Sequence, residues 1–467
     1  MNGVPDFRQE DTTADIVEHG VPEDQQVMSL DRVFWSHFSP NISPSGWIVG
    51  ILLVNAGLDF WSAIIATIAG NILGGIAPSL AAVMGPGSGY TQIGTSRFSF
   101  GKTGMRVPAA LTWVGAVGWA AVNNIPAAVA LVMLLAPIAL HLPYWVALVL
   151  LFAVQGFASV RGHHVVQALQ KYLGYVLVVT FGLTGVFAVA HGGTTVTALH
   201  PFNLSTFVFG IALVASYNLS WGPYASDYTR YLPRNTPGRS IFFLGFLGLS
   251  ASALVSEFLG ILTASHFPDT SALGVIGEIV RLTGAFGPVT LAAFVIASIT
   301  ANSVGMNTGA YSLISAGLRW PRNVTAALTT AAAFVLALAG VGRFSSLYGS
   351  FLFLLGYWVA PWIAIVLVDW LLRRGDERAE PVAWQRGATI FLAVTVVTVA
   401  LFSSSDIYTG PFTRMLGGAD IGYFVGFFTA ALLYFVTAGG RGRTIAVYQA
   451  RGAHLPNGRE SASLIVD

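Results

Sequence analysis

Long apolar runs, each closed by a short polar or glycine- and proline-rich segment, set the pattern of the chain from residue 33 to residue 438. A helix needs roughly 20 mostly apolar residues to cross a hydrocarbon core of about 30 Å. Runs of that kind fall at 33–57, 60–84, 106–136, 142–160, 164–190, 204–228, 240–265, 285–317, 322–341, 346–372, 385–404 and 420–438. The pattern predicts an all-α membrane protein of about 12 spans. Ten-residue stretches of strict alternation, the mark of a transmembrane barrel, do not occur.

Composition agrees: 9% of the residues are charged and 54% hydrophobic, against roughly a quarter charged in a soluble domain. The formal net charge of +2 gives no argument for nucleic acid as a partner; the partner is the lipid bilayer. The absence of cysteine excludes disulfides, thiolate metal sites and thiol catalysis. The first residues are acidic (Asp6, Glu10, Asp11, Asp15, Glu18) with no basic segment ahead of a short apolar one, so no cleavable signal peptide is expected. Basic residues mark the cytoplasmic side of membrane proteins. With the N-terminus inside, 20 of the 23 fall on that side and only Arg281, Arg343 and Arg414 opposite. Both termini are therefore expected in the cytoplasm, and the chain in the inner (plasma) membrane.

Two runs are interrupted from within, span one by Ser39-Pro40-Asn41-Ile42-Ser43-Pro44-Ser45-Gly46 and span six by Tyr217-Asn218-Leu219-Ser220-Trp221-Gly222-Pro223. Unwound backbone at that depth belongs against a protein cavity, because lipid cannot satisfy its polar groups. The interruptions lie five spans apart. An odd repeat unit must enter from opposite faces in its two copies, and matched broken helices point to a central site. The expected architecture is leucine-transporter-like: a cytoplasmic tail 1–32, a five-helix repeat 33–203, its inverted copy 204–372, two extra helices in 373–438 and a tail 439–467. Ordinary proline kinks would explain the same residues without a site.

Gly70-Asn71-Ile72-Leu73-Gly74, Gly85-Pro86-Gly87-Ser88-Gly89, Gln92 and Ser96-Arg97-Phe98-Ser99-Phe100-Gly101 come in an order that resembles the purine-cytosine permease branch of the nucleobase:cation symporter-1 family. Gly118-Trp119-Ala120-Ala121-Val122-Asn123, Ala225-Ser226-Asp227-Tyr228-Thr229-Arg230-Tyr231, Gly356-Tyr357-Trp358-Val359-Ala360-Pro361-Trp362 with Asp369, and Glu18-His19-Gly20-Val21-Pro22 extend the resemblance over nearly the whole chain. It implies a secondary active transporter that imports a nucleobase or related planar heterocycle, of cytosine or purine type, by cation-coupled symport with alternating access. Carriage of another small heterocycle (allantoin, hydantoin, a thiamine precursor or a pyridoxine-like vitamin) stays open. An enzyme is not expected; a membrane enzyme or receptor is the rival from another class.

Trp119 and Asn123 lie four apart and share one helix face. An indole there gives a stacking surface and the amide offers a donor and an acceptor to a ring edge, although a tryptophan in a membrane helix also serves as packing. By resemblance Trp221 is the second stacking position, with Ser220 beside it. Span eight is unusually polar, from Ser298 to Gly309. Asn302 matches the first asparagine of the family's Asn-x-x-Asn-x-Tyr-Ser-Gly pattern, whereas Gly305 and Asn307 replace the second asparagine and the tyrosine; Asn302 and Asn307 join the substrate set. Helix–helix hydrogen bonds are the other reading of these residues.

The ion-coupling set is Asn41, Ser298, Thr300 and Glu257. The resemblance implies that sodium-coupled relatives pair backbone carbonyls at the span-one break with adjacent hydroxyl residues in span eight, and here that pair aligns with Thr300 and Ala301. One oxygen ligand is missing from that pair, with Ser298, Ser303 or a water as the alternative ligand, so protons are favoured over sodium, which stays open, as the coupling cation. Glu257, alone in the apolar run from Ile241 to Ala264, is the proton candidate, since a carboxyl in lipid is expensive unless paired, protonated or functional. Asp227 beside Arg230 suggests a salt bridge at a cytoplasmic gate. Asp59 and Asp369 are expected to be solvated. Only His37 and His164 of the nine histidines fall in spans, without a metal-spaced cluster, and no Walker lysine follows Gly85 to Gly89, so neither a metal nor another cofactor is expected.

Overall fold

The computed structural model describes residues 20–160, 163–192, 202–264, 271–373, 382–404 and 408–450. The acidic run Asp6 to Glu18, His19, Arg161 and the tail from residue 451 lie outside the described residues. The regular elements among the described residues are all helices, apart from one isolated bridge between Ser404 and Thr409. Among the described residues, eight helices are long and apolar enough to cross a membrane. Four shorter apolar ones, Pro44–Asn55, Tyr144–Ser159, Arg386–Phe402 and Gly422–Ala438, fill the remaining places among the twelve runs.

Span one is two helices, Asp31–Phe38 and Pro44–Asn55, joined by the non-helical Ser39 to Ser43. Ser43 is extended (φ −149°, ψ 161°) and Pro44 opens the second helix, a place where a missing N–H costs nothing. Span six runs Leu204–Leu219, passes through a tight turn at Gly222–Tyr224 and resumes as Ala225–Thr229. Pro223 stands in that turn and cannot donate the bond that would carry the helix through. The other spans are Phe60–Ala82, Arg106–Leu135, Tyr144–Val160, His163–Gly192, Gly238–Thr263, Gly287–Ser315, Arg322–Gly340, Phe344–Arg373, Arg386–Phe402 and Gly422–Ala450.

Spans one, two, six and seven pack as one bundle, and spans three, four, eight and nine as a second group that also holds span five. Small residues set the closest approach in the bundle. A Cβ at Gly50 would lie 2.0 Å from the carbonyl oxygen of Glu257, and one at Gly260 2.0 Å from that of Trp47, so spans one and seven meet backbone to backbone. Ile65, Ile68 and Ile72 line an outward face of span two, a patch that suits lipid rather than water. One helix was not foreseen: Ala272–Thr283, between spans seven and eight, which buries Val275, Ile276, Ile279 and Leu282. Its helical period is plain in the sequence, but at 12 residues it is too short to cross a bilayer.

Candidate substrate cavity

The two breaks open on one cavity. Asn41 and Ser45 reach it from span one, Trp119 and Asn123 from span three, Tyr217, Ser220, Trp221 and Tyr224 from span six, and Ala301, Val304 and Gly305 from span eight. Its volume is about 40 Å³, enough for a few waters but well short of the roughly 150 Å³ of an engineered cavity that binds benzene. A planar ring enters only when these walls separate.

Both indoles are held by their neighbours. The Trp119 ring meets the edges of Tyr217, Tyr348 and Phe351 at 5.7, 6.2 and 5.4 Å between centroids. Trp221 donates its Nε1–H to Asn41 Oδ1 at 3.3 Å and lies 6.3 Å from the His37 ring and 5.7 Å from that of Tyr224. Ser45 donates to Asn123 Oδ1 at 3.0 Å, and Asn123 donates to Asn302 Oδ1 at 3.1 Å. Asn302 thus stands one layer behind the wall. Ser220 turns its hydroxyl to the Tyr217 carbonyl at 2.6 Å. Asn307 is not brought to the cavity: its Oδ1 accepts from Arg322 at 2.6 Å. Tyr217, Tyr224 and Ser45 line the cavity although the sequence did not single them out; all three lie in or beside the quoted breaks, which was the available signal.

The residues weighed for ion coupling divide between the two helix groups. Thr300 donates to the Ala297 carbonyl at 2.7 Å, while its own carbonyl accepts from Gln170 of span five at 2.8 Å. Ser298 donates to Asn124 Oδ1 at 2.6 Å. Asn41 donates to the Leu249 carbonyl at 3.0 Å, so it joins span one to span seven as well as to Trp221. Glu257 is fully buried in the bundle and accepts from Asn71 Nδ2 at 2.6 Å; Asn71 Oδ1 in turn accepts from Asn218 at 2.7 Å. Glu257 Oε1, Asn218 Oδ1, Thr67 Oγ1 and Ser256 Oγ have no partner.

Two expectations for acids are corrected. The Asp227 carboxylate accepts from the Gln92 N–H at 2.8 Å and from Thr308 Oγ1 at 2.5 Å, while Arg230 donates to the main-chain carbonyl of Asp227 at 3.2 Å. The short helix after the break turns the carboxylate across to span eight, so Asp227 ties the bundle to the second group instead of pairing with Arg230. Asp369 is buried and accepts from Arg373 and Tyr434, both at 2.7 Å; span twelve covers the end of span ten and keeps water out. Among the described residues no three His, Cys, Asp or Glu side chains gather as a metal site would need.

The family model for a "permease for cytosine/purines, uracil, thiamine, allantoin" matches residues 20–426. The chain belongs to this family. Relatives of this permease include the Bacillus subtilis protein YxlA, 26% identical with 93% of this chain and 98% of that one covered. The purine-cytosine permease fcyB of Emericella nidulans is also 26% identical, over 84% of this chain and 82% of its own. The vitamin B6 transporter of Saccharomyces cerevisiae is 25% identical over 71% and 60%. Among solved structures, the nucleobase-cation-symport-1 family transporter Mhp1, closed with bromovinylhydantoin bound, superposes with a TM-score of 0.73 at 14% identity over 94% of this chain and 97% of that one. A Na+-coupled sialic acid symporter gives a TM-score of 0.59 at 14% identity over 93% of each chain. The fold of this permease is therefore the leucine-transporter-like one, two inverted five-span repeats followed by two further spans.

Proposed function

We propose that this permease imports a nucleobase or closely related planar heterocycle, of cytosine or purine type, together with a proton, by alternating access around the cavity at the two broken spans. The observation that carries the reading is that Trp119, Trp221 and the Asn123 amide line one cavity. An aromatic face contributes about 1–3 kcal/mol per stacked base, and an amide reads a ring edge. Because the cavity is smaller than a ring, loading requires the bundle to move from the second group. The Ser45–Asn123 and Asp227–Thr308 bonds cross that boundary and are among those such motion breaks. A second reading, transport of a hydantoin or a pyridoxine-like vitamin, is favoured by the names of Mhp1's ligand and the yeast relative and would use the same stacking.

For the coupling ion, Glu257 is the proton carrier in this reading. Its support is a buried carboxyl with one unpartnered oxygen, set against an alanine at 301 where a second adjacent span-eight hydroxyl would stand beside Thr300. Residues 33–203 and 204–372 are the two repeats and 373–438 the added pair, with both termini cytoplasmic, following the 20-to-3 split of basic residues.

The test is uptake of radiolabelled cytosine, adenine, hypoxanthine, hydantoin and pyridoxine into proteoliposomes under separately imposed proton and sodium gradients. Saturable accumulation of a nucleobase driven by the proton gradient is expected. Accumulation driven by sodium at equal pH would remove the proton, and release of an altered compound would replace transport with catalysis.

A further inference from the structure

Behind Asn123 lies a ladder of amides whose direction is decided by a backbone group. Asn302 Nδ2 lies 3.1 Å from the Ala120 carbonyl oxygen and 3.1 Å from Gln155 Oε1. The carbonyl can only accept, so the Asn302 amide cannot be turned over without setting two oxygens against each other. Asn302 Oδ1 therefore faces Asn123, and the atom that meets it at 3.1 Å must be the donor Nδ2. The Asn123 oxygen is left on the side of Ser45, which lines the cavity and donates to it at 3.0 Å. That oxygen keeps a second lone pair.

Gln155 of span four anchors the ladder from the far end. Its amide exchanges both bonds with Asn124 at 2.8 Å, donates also to Ser298 at 3.3 Å, and offers Oε1 to Asn302. Gln155 and Asn124 are fully buried and neither lines the cavity.

We infer that Asn123 meets its ligand as a hydrogen-bond acceptor and that Gln155 is a positioning residue that holds it so. The site then selects heterocycles that present a ring N–H or an amino group to span three, and rejects those whose only polar group at that edge is an acceptor. The inference rests on the proposal that this cavity takes a planar heterocycle. Its chemistry is separate from the stacking, which every aromatic ring shares.

The experiment measures binding of hypoxanthine and of its 1-, 7- and 9-methyl derivatives to the purified full-length permease, in the wild type and in Gln155→Leu and Asn302→Leu. In the wild type at least one methyl derivative binds about ten-fold or more weakly than hypoxanthine, since it cannot satisfy a buried acceptor. In both variants that ratio falls to about three-fold or less, because neither residue touches the ligand but both hold the amide that reads it. A steric effect of the methyl group, or a merely structural role of Gln155, lowers affinities without changing the ratio, and that result overturns the inference. A cycle of melting temperatures for Gln155→Leu, Asn123→Ala and the double variant needs no ligand: non-additive shifts are expected, and additive ones remove the ladder. Failure of all forms to bind hypoxanthine or its derivatives removes the purine part of the proposed function, while the melting cycle still judges the ladder.

Discussion

Two buried polar clusters flank the cavity, and they differ in how completely they are paired. Asn124, Gln155, Ser298 and Asn302, in spans three, four and eight, satisfy one another, and none of them leaves a buried polar atom without a partner. Glu257, Asn71 and Asn218, in spans seven, two and six, share only two side-chain bonds, and unpartnered oxygens remain on Glu257 and Asn218 and on nearby residues of the same spans. In a dry interior a fully paired network specifies one geometry, whereas an unpaired polar group costs about 1–3 kcal/mol until something satisfies it. The first cluster has the properties of a fixed reading head. The second, on the reading proposed above, is the site that takes up and releases the coupling proton.

The strongest test of that contrast is Glu257→Gln. An imposed gradient of about two pH units sustains roughly a hundred-fold accumulation at one proton per substrate, since each unit contributes about 1.36 kcal/mol. In the variant, accumulation falls to the equilibrium ratio, while exchange of labelled for unlabelled substrate at equal pH continues. Retained accumulation in Glu257→Gln would leave the second cluster as packing. Next in size, Gln155→Leu destabilises the purified permease by about 2 kcal/mol, because it strands the amides of Asn124 and Asn302. Glu257→Gln, by the same thermal unfolding measurement, stays within about 1 kcal/mol, since it removes a buried carboxyl that is itself costly. Equal losses in the two variants would erase the distinction.

The sequence made the first half of this picture legible and not the second. Twelve runs, two broken spans and the Trp119–Asn123 face follow from hydrophobic length, helix breakers and the i,i+4 rule, which are local properties. The partner of Glu257 at position 71, and that residue's own partner at position 218, are far from it in sequence, and nothing local joins three helices. Asp369 misled for a related reason: a residue at a span end reads as solvated, but the cover comes from Tyr434 of span twelve, 65 positions away. Asn307 lies one and a half turns past Asn302 on the same polar helix, yet Arg322 draws it off the cavity side.

Stacking gives a prediction that falls on neither cluster and so separates reading from holding. Trp119→Ala and Trp221→Ala each weaken binding of the transported heterocycle by about ten-fold, from a loss of roughly 1–3 kcal/mol, with phenylalanine restoring part of it. The loss applies alike to hypoxanthine and to its methyl derivatives in a direct binding titration. A change in their ratio would mean that the indoles, and not the amide ladder, carry the discrimination.

The smallest effect comes from a carboxylate outside the bundle, which calibrates what Glu257 is not. Asp59 stands at the start of span two and accepts from the N–H groups of Trp61 and Ser62 at 3.0 and 3.2 Å and from the Ser62 hydroxyl at 2.5 Å. It caps the helix, and the Ser62 hydroxyl bond, against the opposing effect of burial and with help from the two backbone bonds, holds its carboxyl below the usual carboxylate range. A folded-state pKa below the unfolded value near 3.9 means that the stabilisation is present above about pH 4 and is lost as pH falls through the lower folded value. Loss of such a cap costs typically about 1 kcal/mol, and partial exposure to solvent trims the charged part of that. Asp59→Ala therefore lowers thermal stability by about 0.5 kcal/mol at neutral pH, Asp59→Asn by less because the amide oxygen still caps, and the gap between wild type and Asp59→Ala closes as melting curves are taken toward about pH 3. A gap that persists undiminished at that pH would show that the cap acts through its shape alone, and that even this solvated carboxylate contributes nothing by its charge.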